Sequence, residues 1–116
     1  MAVPDLLDNG SITQNILVAA RLAVGVNDFT VPAGRAWAIR SFVLCNTSTS
    51  AVTVNVAVVP AAGTARTVVS GYDLAADETL IFDPTLVAML PEAAVLRVTS
   101  GTADAVDVVV TGVVAA

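Results

Sequence analysis

The sequence predicts an all-β protein that folds as a single antiparallel β-sandwich, jelly-roll or immunoglobulin-like, with about 7–8 strands. Two observations support this prediction. β-Branched residues alternate with other residues at a period of two along most of the 116 residues, and turn-forming residues interrupt the alternation every 8–12 residues or so. The length is that of one domain, and no internal repeat or linker divides it.

Two segments give the clearest strands. In Ala51–Val59 the valines at even positions share one face. In Arg35–Cys45 the odd positions from Trp37 onward share one face, and both faces are mostly apolar, which is typical of a strand covered on both sides. The polar loop Asn46–Ser50 lies between the two segments, so we expect them to form a hairpin.

Other segments alternate less regularly but have the same character. The further predicted strands are Ile16–Val24, Asp28–Val31, Thr79–Phe82, Val95–Ser100 and Val106–Val114. The polar loop Ser100–Asp104 predicts a second hairpin, between the last two strands. Val31–Gly34 places proline second and glycine fourth, which predicts a tight turn.

Two segments do not fit the strand pattern. Tyr72–Glu78 is interpreted as a loop before a short strand, and Pro84–Pro91 as one helical turn or a buried loop. We divide the chain into residues 1–16, an N-terminal arm or extra strand, and residues 17–116, the β-sandwich domain.

The composition limits the classes of partner. Hydrophobic residues make up 56% of the chain, but the longest uncharged stretch, Ser41–Ala65, is interrupted by the polar run Asn46–Ser50 and cannot form a membrane-spanning helix. Residues 1–10 contain two acids and no basic residue, so we expect no signal peptide. The net charge is −5, and a chain without a basic patch is not expected to bind nucleic acid. We expect a soluble protein without nucleic-acid or membrane partners.

The sequence offers little catalytic chemistry. It has no histidine and no lysine, so the usual general base and the usual amine nucleophile are both missing. Cys45, the single cysteine, is interpreted as a structural thiol. The carboxylates interpreted as loop or turn residues are Asp73, Asp77, Glu78, Asp104 and Asp107. We predict no enzyme activity, no catalytic, cofactor-binding or metal site and no cofactor; a hydrolase would require Asp73 and Glu78 to face each other across a cleft.

The absence of lysine has two explanations, which stay open. A GC-rich coding sequence favours Ala, Val, Gly and Arg, whereas protein interfaces are also depleted in lysine and enriched in arginine. Exposed sheet edges are commonly protected by lysine, so this domain is poorly protected as a monomer. Trp37 is interpreted as a core residue, and Arg40 and Arg97 are expected to reach solvent, a carboxylate or a subunit interface.

Several segments resemble a group of small bacteriophage virion structural proteins, of the capsid-decoration or tail-accessory type. In that group a "TVPAG" turn leads into a strand that ends in "CNTS" and is followed by a Val/Thr-rich strand. The matching segments, which together cover about residues 28–114, are Asp28–Arg35, Ile39–Ser48, Ala51–Val56, Asp73–Leu80 and Val106–Gly112.

The resemblance implies a non-enzymatic structural protein that is made in the host cytoplasm and located in the virion. Its expected role is to decorate or cement the capsid by bridging subunits. The expected partners are further copies of itself, with a trimer favoured, and the major capsid protein or tail proteins. The alternative is a tail accessory or host-recognition sandwich that binds glycans, which clustered exposure of Trp37 and Tyr72 would favour.

Overall fold

A computed structural model describes residues 12–82 and 89–115, which form nine β-strands and no helix within those ranges. The strands are β1 (Ile12–Arg21), β2 (Gly25–Thr30), β3 (Ala36–Asn46), β4 (Val52–Val59), β5 (Arg66–Leu74), β6 (Thr79–Phe82), β7 (Met89–Leu90), β8 (Val95–Ser100) and β9 (Val106–Ala115). Sheet A has the order β1–β9–β3–β6, with β7 also paired to β3. Sheet B has the order β2–β8–β4–β5, and all pairs are antiparallel.

The order of pairing identifies the sandwich as a jelly roll. The first half of the chain pairs with the second half as one long antiparallel hairpin: β1 with β9, β2 with β8, β3 with β6 and β7, and β4 with β5. This long hairpin is rolled up, so that strands along each half alternate between the two sheets. Rolling brings β3 beside β9 and β4 beside β8, and these two further strand pairs complete the sheets. The predicted β-sandwich is therefore confirmed, and the topology selects the jelly roll over the immunoglobulin-like alternative.

Two predicted hairpins are wrong. β3 and β4 lie in different sheets, as do β8 and β9, so the loops Asn46–Ser50 and Ser100–Asp104 cross from one sheet to the other. Asn46 shows why the first loop crosses. Its side-chain nitrogen donates to the carbonyl oxygens of Ser50 at 2.8 Å and Leu74 at 2.9 Å, so it ties the end of β3 to a strand of sheet B.

The strand positions follow the sequence closely. β6 and β8 have the predicted bounds, and β4 and β9 differ from prediction by one residue at one end. β1 begins at Ile12, four residues before the predicted start. β5 was not predicted as a strand, and its last residues, Tyr72–Leu74, had been predicted as loop. β7 is a short strand within Pro84–Pro91, which had been predicted as a helical turn or a buried loop. Residues 84–88 of the segment Pro84–Pro91 lie outside the described residues. Residues 1–11 also lie outside them, and the division of the chain at residue 16 stays a prediction.

A bulge in β3 reverses the predicted faces of this strand. The odd positions from Trp37 to Cys45 were predicted to share one face, but the register with β9 shifts between Ile39 and Ser41. Arg40 is the extra residue, so the inward positions become even beyond it, and Phe42 and Leu44 are fully buried. Cys45 consequently lies on the outer face of sheet A, half-buried.

The core lies between the two sheets and is dominated by valine and leucine. Val52, Val54 and Val56 of β4 are buried as predicted, and Trp37 is 7% exposed. The predicted turn after Val31 is also present. The Arg35 N–H donates to the Pro32 carbonyl at 3.1 Å, and Gly34 takes a φ of 75°, a conformation that favours glycine.

Candidate interaction surface

The outer face of sheet A carries a row of apolar side chains across all four strand positions. Ala19 of β1 is opposite Val109 of β9, Val109 is opposite Val43 of β3, and Val43 is opposite Ile81 of β6. Val109 is 37% exposed and Ile81 is 71% exposed. Because these residues share the face that points away from the core, water covers an apolar surface that a protein partner could cover instead.

A second apolar row lies four residues further along β9, beyond Thr111. Val113 of β9 is opposite Ala38 of β3, and Ala38 is opposite Met89 of β7, which is 66% exposed. We call the outward-facing residues of β1, β9, β3, β6 and β7 the sheet A face. Its two rows place large side chains at the β6 and β7 edge and smaller ones toward the centre.

The polar groups of the sheet A face bond to one another. The hydroxyl oxygens of Ser41 and Thr111 are hydrogen-bonded at 2.8 Å, between the two apolar rows. Arg21 and Asp107 form a two-pronged ion pair, with Nε–Oδ1 at 2.8 Å and a second N–O distance of 3.1 Å. The Arg21 hydrogen bond lowers the pKa of the Asp107 carboxyl below its usual range. The charge of Asp107 is thus neutralised locally.

The outer face of sheet B differs in chemistry. It carries the ion pair between Arg97 and Asp28, again with N–O distances of 2.8 and 3.1 Å. A hydrogen bond from the Thr53 hydroxyl to Asp73 Oδ1, at 2.9 Å, lies at the other side of the sheet. Further polar side chains of this face are Thr30, Asn55, Thr67 and Thr99. The outer face of sheet B also carries Val26, Ala57, Val59 and Val95, so it mixes charged, hydroxyl and apolar side chains and is the more polar of the two sheet faces.

The edges of the two sheets are irregular or short at three of four sides. β1 has a bulge at Leu17, where the register with β9 shifts, and the Ile16 N–H beside it donates to Asn15 Oδ1 at 3.0 Å. β5 has two register shifts against β4, whereas β6 and β7 have four and two residues. Bulges and short strands discourage edge pairing without lysine. The fourth edge strand, β2, is regular over six residues, so the sheet A face and this edge are both open to association.

The carboxylates considered for catalysis or cation binding have local structural partners. Glu78 accepts hydrogen bonds from the Tyr72 hydroxyl at 2.6 Å and from the Ala75 N–H at 2.7 Å, and both lower the pKa of Glu78. The same carboxylate raises the pKa of Tyr72. Asp73 lies in β5 and bonds to Thr53 instead. These separate partners thus do not place Asp73 and Glu78 opposite each other across a cleft.

The other predicted positions are also turn or surface residues. Asp77 and Asp104 adopt positive φ values of 60° and 56° in turns. Cys45 accepts a hydrogen bond from the Thr79 hydroxyl at 3.5 Å on the sheet A face. In residues 12–82 and 89–115 no three Asp, Glu, Cys or His side chains cluster as metal ligands, and no helix there has the length and hydropathy of a membrane span.

The two aromatic residues considered for glycan binding are apart. Trp37 is buried in sheet A, at the inner wall of a cleft of about 400 Å³ between the β1 and β2 edges. The cleft is lined by Leu17, Val18, Ala19, Ala20, Asp28, Phe29, Thr30 and Trp37. Tyr72 lies in β5 of sheet B, half-buried, with its hydroxyl bonded to Glu78. The clustered exposure that would favour sugar stacking is therefore not formed.

Sequence reasoning found part of the sheet A face. It noted that both faces of Arg35–Cys45 are apolar, which is the signal of a strand with a second covering layer. It missed Ile81 and Met89, because a two-residue or four-residue strand gives too few positions to reveal which face is outward.

Comparison with known proteins gives similarity at low identity. No family model matches the sequence, and no curated protein matches it. Among solved structures, the chain is similar to a structure of infectious bursal disease virus, Gx strain, with 14% identity and a TM-score of 0.33, covering 90% of this chain and 38% of that chain. It is similar at the same identity and TM-score to the infectious bursal disease virus VP2 subviral particle, covering 31% of that chain. The chain thus spans about a third of the length of these proteins.

Proposed function

We propose that the protein is a non-enzymatic structural component of a bacteriophage virion, which self-associates and decorates or cements the capsid by bridging its subunits. The observation that carries the proposal is the sheet A face. One apolar row crosses all four strand positions and a second covers β9, β3 and β7, and the polar side chains between and beside the rows bond to each other. Such a surface is typical of a protein that functions inside an assembly.

Two further features agree with this proposal. The jelly roll recurs in viral capsid proteins, although lectins and cupins share it, so the architecture alone does not select the function. The segments quoted above resemble phage virion proteins over about residues 28–114. A lectin-like role is less well supported, because Trp37 is buried and Tyr72 is engaged by Glu78.

The proposal is tested on purified phage particles from cultures that express the chain. Immunoelectron microscopy with an antibody against the protein should label intact shells. Label on tails would favour the tail-accessory alternative, and particles without label would refute a virion role. The control is the same antibody on particles produced after deletion of the gene.

If the protein bridges capsid subunits, it should raise the temperature at which shells release their DNA. Shells produced without the chain should release their DNA at a lower temperature, measured by the fluorescence of a dye that binds released DNA. Addition of the purified protein should restore the release temperature. Equal release temperatures with and without the protein would contradict a cementing role, even where shells are labelled.

A further inference from the structure

We infer that the sheet A face binds the sheet A face of a second copy, about a two-fold axis that runs parallel to the strands between β9 and β3. The inference rests on the proposed self-association and names its surface and symmetry. It differs from the trimer that the sequence resemblance favours, because an isologous sheet contact pairs subunits two by two.

The side chains of the row from Ala19 to Ile81 differ in size in a way that suits this axis. This axis reverses the strand order of the partner, so β6 of one copy faces β1 of the other. Ile81 then faces the partner's Ala19, and Val109 faces the partner's Val43. The largest side chain of the row therefore meets the smallest, and the two middle residues are alike, which allows close packing of the two sheets.

The same axis matches the neighbouring rows. Thr111 faces the partner's Ser41, so the hydroxyl pairs of the two copies come together. Val113 faces the partner's Ala38 in the second apolar row. In β9 and β3 each row therefore meets residues of its own chemistry, because rotation about an axis parallel to the strands leaves every row at its own height.

The distribution of acidic residues also favours contact through the sheet A face. Each chain carries a net charge of −5, so two copies repel each other over most of their surface. The described part of the sheet A face holds one acid, Asp107, which is paired with Arg21, together with the exposed Arg40 at the bulge. Two such faces can approach without bringing unpaired carboxylates of the described residues together, while the two Arg40 side chains lie next to the axis and repel each other.

The sheet A face is large enough for a specific contact. β9 has ten residues, which at about 3.3 Å per residue extend about 33 Å, and four strand positions at about 4.8 Å extend about 19 Å. One face then covers about 600 Å², and two covered faces about 1,200 Å². This value lies at the lower end of the range for stable, specific protein interfaces.

The first test compares two matched variants by light scattering across a concentration series. Wild type should be a dimer, and Ile81→Asp should weaken the dimer at least about 100-fold, because the symmetry buries the charge at two contacts. Val26→Asp is the control, since Val26 is 59% exposed on the edge strand of sheet B. It should remain dimeric. Trp37 fluorescence verifies that both variants are folded.

The second test reports the direction of the axis. Ala19→Cys and Ile81→Cys are made separately, each together with Cys45→Ser, and are treated alone and as an equal mixture with a short bifunctional thiol-reactive cross-linker, because face-to-face sheets are about 10 Å apart. The mixture should give up to about half of its chains as covalent dimers on a non-reducing gel, because only mixed dimers bring the two thiols together. Each variant alone should stay uncross-linked, because identical positions lie at opposite edges of the contact.

Three outcomes would overturn the inference. A wild-type monomer at every concentration removes the contact, a trimer removes the two-fold axis, and cross-linking of Ile81→Cys alone places the axis across the strands. None of these outcomes decides the virion role, which particle labelling tests separately. Unlabelled particles with an intact dimer would refute the proposed function and leave the sheet A contact in place.

Discussion

The buried amide of Asn46 should be the most sensitive polar group in the described structure. Its side-chain nitrogen donates to the Ser50 and Leu74 carbonyls, and its Oδ1 accepts from the Ser48 N–H at 2.9 Å and hydroxyl at 2.8 Å. Asn46→Asp preserves the shape and both accepted bonds but removes both donated bonds. The Leu74 carbonyl is buried and loses this donor, whereas Ser50 is exposed and its carbonyl still accepts from the Ser48 hydroxyl at 2.9 Å. One buried carbonyl left without a partner costs about 1–3 kcal/mol, so we expect a loss of about that size at pH 7.

The loss should depend on pH in a defined direction. Burial opposite two carbonyl oxygens raises the pKa of the introduced carboxyl above its unfolded value of about 3.9. Below the unfolded-state pKa the carboxyl is protonated in both states, so its charge does not lower the unfolding free energy. As the pH rises from there toward the higher folded-state pKa, the unfolding free energy falls. The difference in unfolding free energy between Asn46→Asp and wild type should shrink below about pH 4.

The assay is urea unfolding followed by the fluorescence of Trp37, the single and buried tryptophan. Asn55→Asp is the matched control, because Asn55 Oδ1 accepts a hydrogen bond from the Gly71 N–H at 2.6 Å on a half-buried strand position, which a carboxylate also accepts. It should change the stability by less than about 1 kcal/mol. An equally small, pH-independent effect of Asn46→Asp would refute the reasoning.

Gly112→Ala should lower the urea midpoint strongly, because an added Cβ would overlap the backbone of β3; a midpoint equal to that of wild type contradicts this close approach. Glu78→Gln should lower the pKa of Tyr72 toward its ordinary value, measured by absorbance titration of the single tyrosine. Asp107→Asn removes the ion pair with Arg21, whose contribution is present above the ordinary aspartate pKa and lost as the pH falls through the lowered value. The stability difference from wild type should therefore vanish in acid and shrink in about 1 M salt.

Local pattern predicted most strands and their faces. The alternation in Val52–Val59 and Val106–Ala115 placed the buried valines correctly, because a regular strand keeps its period of two. The bulge at Arg40 could not be predicted in this way. It depends on the register of β3 against β9, which lies about 70 residues away in sequence, and one extra residue reverses the faces of every position that follows.

The wrong hairpins have a similar cause. Loops of four or five polar residues can close a hairpin or cross between sheets, and their sequences look alike. The hydrogen bond from Asn46 to the Leu74 carbonyl supports the crossing of the first loop between the sheets, and it joins residues 28 positions apart. The outward face was predictable in a long, regular strand such as Val52–Val59, and not in the bulged β3 or in the short β6 and β7. The interaction surface therefore emerges only when all strands are assembled.

The place of β9 in the middle of sheet A has a consequence for biosynthesis. β1 and β3 are its two neighbours, so until residues 106–115 have left the ribosome β1 has no strand partner and β3 has an unpaired side. Nascent chains then present open strand edges that can pair with other chains. We therefore expect folding to follow synthesis of β9 rather than proceed during it, and a chain stalled before Val106 should depend on chaperones to stay unaggregated.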